Sequence, residues 1–353
     1  MDNQTPAHPP EMVMPIADPA SGLRGVIVLH STRLGPAAGG CRFWHYPDQA
    51  AMMADAVRLA EGMAYKNALA QLPFGGGKSV IAMPAGPFDR EALFRAFGRA
   101  VEELGGDYVT AEDVGSSVED MACVRQETRH VAGLAAAAGR PGGDPSPWTA
   151  RGVFLAMQLA ARRRMGSDLA GLTVAVQGLG HVGAHLCQLL HDAGAKLVVA
   201  DVRPGLAEAV ARQFGARFVS PDRIIAADAD IFAPCALGSV LDSQAVAGLR
   251  AKVVCGAANN VLAAPDDGDL LARRGVLYAP DYVVNAGGII NVAAEHLGWS
   301  AEEAARRVED TPRRLAAVLD FAEAQGLPPH RAADMLARQR IAEGARQKRR
   351  AAA

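Results

Sequence analysis

The sequence predicts an α/β protein of two domains, the second a doubly wound parallel sheet. The chain has 353 residues, above the size at which a single hydrophobic core usually stops growing. Beyond residue 147, short β-rich segments alternate with helical ones: LTVAVQ (172–177), KLVVAD (196–201), ARFV (216–219), DIFA (230–233), KVVCG (252–256) and VLYA (276–279). Apolar runs of this kind suit strands buried on both faces of a parallel sheet. The first of them passes directly into a glycine-rich turn, Gly178-Leu-Gly180-His-Val-Gly183. The composition shift at Ala135 to Pro147, AAAAGRPGGDPSP, reads as a hinge, so the domains are expected at 1–140 and 141–327.

The first domain opens with a polar, proline-rich segment and then a β-branched strand, Arg24 to Arg33, followed by GPAAGG at Gly35 to Gly40. Helical spacing of Met52, Val57, Leu59, Ala60 and Met63 predicts a helix from Asp48 to about Tyr65, with Lys66 near its end. Lys78 opens the next strand, SVIAM. Phe88 to Leu104 is amphipathic, with Leu93, Phe94, Phe97, Val101 and Leu104 on one face. A short strand at Tyr108 to Thr110 runs into AEDVGSS, and Ser117 is placed to cap a helix that has Glu119 and Asp120 in its first turn. In the second domain, Val182, Leu186, Leu189, Leu190 and Ala193 form a helical stripe after the glycine turn. A long helical region covers Ser300 to Gln325, and a last helix over 328–353 is expected to pack back on the first domain.

Half the residues are hydrophobic, 21% are charged and the net charge is −2. That balance is ordinary for a globular enzyme and provides no general field for nucleic acid or an acidic membrane. The KRR at Lys348 to Arg350 reads as a solvated tail. The five cysteines, Cys41, Cys123, Cys187, Cys235 and Cys255, form no CxxC pair, so they read as reduced thiols of a cytoplasmic protein. Neither a signal peptide nor a membrane-spanning run is found.

A bare GxGxxG is weak evidence, but this one lies between a strand and a helix, and the next strand ends at Asp201. In that context Gly178, Gly180 and Gly183 let a pyrophosphate approach the helix start at His181 and Val182, and Asp201 receives the ribose hydroxyls. An acid there repels a 2′-phosphate, which favours NAD over NADP; Arg203 weakens that preference. His181 and His185 have HxxxH spacing, but His181 belongs to the turn and His185 to the helix. Solvent-facing histidines are therefore expected, not a metal site.

The stretch MAYKNALAQLPFGGGKSVI, Met63 to Ile81, holds Lys66 and Lys78 among mostly apolar neighbours, the second after three glycines. An apolar setting penalises a charged lysine and moves it towards proton exchange at neutral pH. The alternative is that both stems lie along the fold with their heads in water. Asp113, at a strand end beside Gly115, would face a cleft unless it serves only to cap the helix near Ser117. Two lysines and a carboxylate suit amine/carbonyl chemistry: one lysine holds a carboxylate, the other activates water, and the acid shuttles protons.

GPAAGGCRF, MAYKNALAQLPFGGGKSVI, TAEDVG and DYVVNAGGIINV, in this order along the chain, resemble the amino acid dehydrogenases of leucine, valine, phenylalanine and glutamate, from about Ser21 to Leu297. The resemblance implies an N-terminal substrate domain, a Rossmann NAD domain and an active-site cleft between them, in a homo-oligomer. It implies that Lys66, with the backbone of Gly39 and Gly40, binds the substrate α-carboxylate. By the same resemblance Lys78 polarises the catalytic water, Asp113 exchanges protons with the amino nitrogen, Asn260 lies near the nicotinamide and the substrate amine, and Thr149 and Ala236 belong to the cofactor site. The implied reaction is reversible oxidative deamination of an L-amino acid to a 2-oxo acid and ammonia, with hydride passing from Cα to NAD.

Glutamate enzymes of this kind read GPYKGG where this chain has GPAAGG, which places Ala38 at the lysine that holds a distal carboxylate; Val292 stands at a serine of the same purpose. A side-chain carboxylate would be buried unpaired at a cost of several kcal/mol, so a dicarboxylic substrate is disfavoured. Met63, Ala38, Ile289 and Val292 are then the expected pocket residues. TAEDVG and GGCRFW resemble leucine dehydrogenases, whereas Ala38 replaces their usual leucine as in phenylalanine enzymes. The two substrates therefore stay open, with branched-chain acids favoured. A non-catalytic NAD-binding protein would lack one of Lys66, Lys78 and Asp113, and all three are present.

Overall fold

The computed structural model describes residues 9–135, 141–236 and 238–351, the last five as backbone only. Residues 136–140 of the expected hinge and the side chains of the KRR tail lie outside that description. Two compact units emerge, one comprising residues up to Asp144, Ile289–Ala304 and Ala337 onward, the other Pro145–Gly288 and Ala305–Leu336.

The first unit begins with β1 (Met12–Asp18), β2 (Leu23–Ser31), β3 (Ala37–Trp44), α1 (Gln49–Leu69), β4 (Gly75–Ala82), α2 (Arg90–Glu102), β5 (Tyr108–Glu112) and α3 (Val118–Arg125). The sheet order is β1-β2-β4-β3-β5. β2 is antiparallel to β1 and β4, while β3 runs parallel to β4 and β5. The proline-rich start conceals β1. Its Pro15 is tolerated because β1 is an edge strand, where a missing N–H need not break a ladder. α1 is capped by Asp48, which accepts the Ala51 N–H at 2.8 Å, and lays Ala56, Ala60 and Ala64, all buried, along one face. It continues one turn past Tyr65, so Lys66 and Asn67 are helical. Ser117 caps α3 in a reciprocal box with Asp120.

Both glycine runs, GPAAGG and GGGK, are largely strand, so β4 begins three residues before the strand start expected at Lys78. Close approaches from α1, β5 and the end of β2 leave no room for side chains along GGG. A Cβ on Gly76 would fall on the Ala64 backbone, one on Gly77 would lie 2.9 Å from the Tyr108 ring, and one on Gly75 would strike Ser31 O. Lys78 is therefore held mid-strand rather than at a strand opening.

The second unit continues with α4 (Ser146–Met165), β6 (Thr173–Gln177), α5 (His181–Asp192), β7 (Lys196–Ala200), α6 (Pro204–Phe214), β8 (Arg217–Phe218), β9 (Ile231–Pro234), α7 (Ser243–Gly248), β10 (Val253–Val254), α8 (Pro265–Arg273), β11 (Leu277–Tyr278) and α9 (Asp281–Val284). Its sheet, β11-β10-β9-β6-β7-β8, is parallel throughout, and the strand order reverses beside β6. The mixed α/β architecture with a Rossmann-like parallel sheet is that expected from the sequence. Then come α10 (Gly287–Leu297), α11 (Ala301–Glu309), α12 (Thr311–Gln325) and α13 (Pro329–Ala351). The helical region after Ser300 divides at Asp310 because Pro312, at the start of α12, cannot continue the α11 ladder. Among the described residues no helix is long and apolar enough to cross a membrane.

Candidate active site

Lys78 is only 4% exposed, which removes the reading with its head in water. It shares a face of β4 with Val80, which packs against α1 in the cluster of Met52, Ala56 and Ala60. Its Nζ lies 2.9 Å from Oδ2 of Asp113, the residue just past β5. A buried ammonium persists only with such a partner. Arg42 on β3 donates its Nε to the same Oδ2 at 3.1 Å. Burial works against ionisation of Asp113, but Lys78 and Arg42 outweigh it and bring the carboxyl down to about 2.

The loop that carries Asp113 is fastened from several sides. The Ser116 hydroxyl accepts the Asp113 N–H at 2.9 Å and donates to Cys41 O at 2.8 Å. Arg90 grips Asp120 with two 2.7 Å hydrogen bonds and donates to Gly115 O at 2.8 Å. Gly115 itself sits at φ +85, where a side chain would be strained.

Gly39 and Gly40 pair with Thr110 and Ala111 of β5, whereas the β4 pairing runs to Ala38↔Gly76 and resumes only at Cys41↔Ser79. The ladder to β4 is interrupted at these two glycines, yet the strands stay close, since a Cβ on Gly39 would strike Gly77 O. A Cβ on Gly40 would lie 2.8 Å from that of Asp113, and one on Gly39 would lie 3.1 Å from Met63 Cγ. The strand is held by its carbonyls: Tyr108 Oη donates to Gly39 O at 2.7 Å, and Asn67 Nδ2 reaches Ala38 O at 3.3 Å and Gly75 O at 2.6 Å. Met63 and half-buried Lys66 are three residues apart on α1 and so share a face. Ala38 is fully buried. Half-buried Ile289 and Val292 are likewise one turn apart on α10, and His296, one turn further, lies 5.8 Å from the Phe74 ring. Glu295 and Asn291 tie this helix to the backbone of Gly133, Leu134 and Gly142.

In the second unit Gly178 has φ +92 and follows β6, and its missing Cβ would lie 2.7 Å from the Cβ of Ala236. A Cβ on Gly183 would strike Gly178 O, so α5 can start hard against the turn, while Gly180 faces open space. His181 is exposed and Val182 half-buried. The buried Asp201 accepts the Leu179 N–H at 2.8 Å, the Arg203 N–H at 2.9 Å and the Arg203 Nε at 3.0 Å. Burial opposes its ionisation, yet Arg203 and these N–H groups hold it below the usual carboxylate range. Thr149 lies in the first turn of α4, its hydroxyl on Pro145 O at 3.1 Å. Asn260 adopts φ +52, and its carbonyl accepts the Ser239 N–H at 2.6 Å. The glycine cradle and a strand-end acid fit a dinucleotide. Among the described residues no group of three His, Cys, Asp or Glu could hold a metal ion.

Residues 10–130 match the model of the Glu/Leu/Phe/Val dehydrogenase dimerisation domain, and 144–209 and 199–349 match that of glutamate/leucine/phenylalanine/valine dehydrogenase. The chain belongs to this family. It is an amino acid dehydrogenase, acting on a CH–NH2 group with a nicotinamide cofactor. It is similar to leucine dehydrogenase of Thermoactinomyces intermedius, 47% identical over 94% of this chain and 90% of the relative. Valine dehydrogenase of Streptomyces albus is 46% identical over 94% and 92%. Among solved structures, L-tryptophan dehydrogenase from Nostoc punctiforme superposes with a TM-score of 0.81 at 41% identity, covering 96% of this chain and 97% of that one.

Within the first unit of this dehydrogenase, Lys78, Asp113, Gly39, Gly40 and Met63 converge, and Lys66 follows Met63 on the same helix face. Gly178, Gly180, Gly183, Ala236 and Asp201 converge within the second. Sequence reasoning passed over Arg42, Asp55, Tyr46, Asn67 and Tyr108. Arg42 lies inside a family-like motif, GPAAGGCRF, but nothing in its spacing points to Asp113, 71 residues away.

Proposed function

We propose that the protein catalyses the reversible, NAD-dependent oxidative deamination of an apolar L-amino acid, with branched-chain acids favoured. The buried Lys78–Asp113 pair is the observation that carries this reading: an ammonium and an ionised carboxylate are held ready beside the Gly39–Gly40 stretch of β3. Lys66 and the Gly39–Gly40 backbone would hold the α-carboxylate. Lys78 would orient the attacking water and stabilise the developing carbinolamine oxygen. Asp113 would accept and return the proton of the amino nitrogen. Gly178, Gly180, His181, Val182, Gly183 and Ala236 would cradle the pyrophosphate and Asp201 the adenosine ribose, with Thr149 and Asn260 towards the nicotinamide. When bound, NAD supplies the hydride acceptor. The match of the first unit to a dimerisation domain supports a homo-oligomer. The five free cysteines support a reducing, cytoplasmic setting.

Formation of NADH across the L-amino acids tests the substrate class and cofactor together. L-Leucine and its branched relatives should be turned over, L-phenylalanine to some extent and L-glutamate hardly at all, with higher kcat/KM for NAD than for NADP. Arg203 sits on the carboxylate that should exclude a 2′-phosphate. Equal or better efficiency with NADP would overturn the cofactor assignment and make Arg203 a phosphate ligand.

The reach of the pocket is assigned to Ala38. Ala38→Leu should shift kcat/KM from phenylalanine towards smaller aliphatic acids by about 1–3 kcal/mol, through steric fit rather than charge. An unchanged phenylalanine-to-leucine ratio would remove Ala38 from the substrate site.

A further inference from the structure

The Lys78–Asp113 pair is the end of a longer chain of charges. Arg42 spans two carboxylates, donating Nε to Asp113 Oδ2 at 3.1 Å and Nη1 to Asp55 Oδ2 at 3.0 Å. Asp55, on α1, is held in turn by Tyr46 Oη at 2.6 Å on the same Oδ2 and by Arg58 Nη2 at 2.9 Å on Oδ1. Arg42 and Asp55 are both largely enclosed, with side chains 19% and 15% exposed, whereas Arg58 is half in water. Lys78 and Arg42 both address Oδ2 of Asp113. No described residue donates to its Oδ1.

We propose that Arg42, braced by Asp55 and Tyr46, is a positioning residue that fixes the Asp113 carboxylate edge-on, with Oδ2 committed to the protein and Oδ1 presented to the substrate amino group. The geometry suits that task. A carboxylate held through one oxygen by Lys78 alone could rotate about its Cβ–Cγ bond. A second donor on the same oxygen, from a planar guanidinium anchored at its far end, restricts that rotation. Two cations on one oxygen also keep the group ionised. The groups that face Asp113 are Lys78 of β4, Arg42 and the buried thiol of Cys41 from β3, and the Ser116 hydroxyl from its own loop; Asp55 of α1 acts through Arg42. Burial raises the carboxyl's affinity for protons, and Lys78 and Arg42 lower it.

This inference rests on the proposed function, so the parent enzyme must first turn over L-leucine; if it does not, the proposed function has failed rather than this one. Given an active parent, Arg42→Gln should lower kcat by about tenfold or more with the KM values for leucine and NAD nearly unchanged, because positioning rather than binding is lost. Asp55→Asn should cost less, since the guanidinium keeps its bond to Asp113. The double variant should be no worse than Arg42→Gln alone, because the two act in series. Arg42→Lys keeps the charge but cannot span both carboxylates, so it should lower kcat with little change in the titration of Asp113.

The titration of Asp113 separates this role from that of a strap between β3 and α1. Followed by infrared difference spectroscopy with Asp113→Asn as the reference, it should move upward by about one unit or more in Arg42→Gln. The sign follows from loss of a cation while burial remains. In Asp55→Asn it should stay low. A strap would instead lower thermal stability in all variants while kcat and the Asp113 titration stay with the parent. That result, or additive losses in the double variant, overturns the proposal. If Arg42→Gln does not fold, the Arg42→Lys and Asp55→Asn measurements decide alone: parental kcat in both removes Arg42 from the mechanism, and reduced kcat with a low Asp113 titration retains it.

Discussion

Lys78→Ala should lower kcat by on the order of 10²-fold or more while dinucleotide binding survives. The ammonium is nearly excluded from solvent and lies 2.9 Å from Asp113, so nothing mobile replaces its charge once it is gone. A charge in a water-poor setting stabilises a developing oxyanion far more than one in water. The loss should appear in kcat, because Lys78 is asked to act on water and the carbinolamine rather than on the bound amino acid. Lys66→Ala, by contrast, should chiefly raise KM. The dinucleotide residues belong to the other compact unit, so NADH titration followed by fluorescence should be unchanged. Turnover near the parent value would mean that the ammonium is structural and that the reaction is carried elsewhere.

The second large effect is expected at Gly76. Its missing Cβ would coincide with backbone and Cβ atoms of Ala64, so even alanine cannot be placed without pushing α1 off β4. Unlike the end of a flexible side chain, a helix backbone has no rotamer with which to yield. Gly76→Ala should therefore lower the unfolding free energy of the first unit by about 3 kcal/mol, at the upper end of overpacking costs. Urea denaturation followed by a probe in that unit would measure it. Because α1 also carries Met63 and Lys66, the KM for the amino acid should rise in the variant that still folds. A parental midpoint and parental KM would show that α1 does not rest on the glycine triplet.

Much of this molecule was legible in one dimension because the relevant interactions are local. The glycine turn from Gly178 to Gly183 is a strand–turn–helix in which Gly183 answers to Gly178 O, five residues back, while Gly180 faces open space. Asp201 follows from the same unit. The capping of α3 by Ser117 is likewise local, a side chain and an N–H three residues apart. Lys66, Lys78 and Asp113 stood out by residue type in unusual surroundings, and the four ordered motifs that contain or flank them carried the family. Apolar residues at Ala38 and Val292, set beside the lysine and serine of the glutamate enzymes that the chain resembles, pointed to the substrate class, since an unpaired carboxylate is too costly to bury.

What the sequence left unread lay in contacts between distant segments. GGG does not read as part of a strand, because three glycines in a row have no intrinsic preference for one; the atoms that crowd them, from Ser31, Ala64 and Tyr108, are brought there only by tertiary packing. β1 hid behind prolines whose tolerance depends on being at a sheet edge, a property of strand order rather than of residues 12–18. Arg42 is the plainest case. By type it is a strand arginine indistinguishable from a solvated one, and its partners Asp55 and Asp113 come from a helix and from a loop beyond another strand. The sequence by itself determined which groups could do the chemistry. The tertiary structure decided which oxygen of Asp113 is held and which is left open, because that depends on where three separate backbones bring Lys78, Arg42 and Asp55 to within hydrogen-bonding distance.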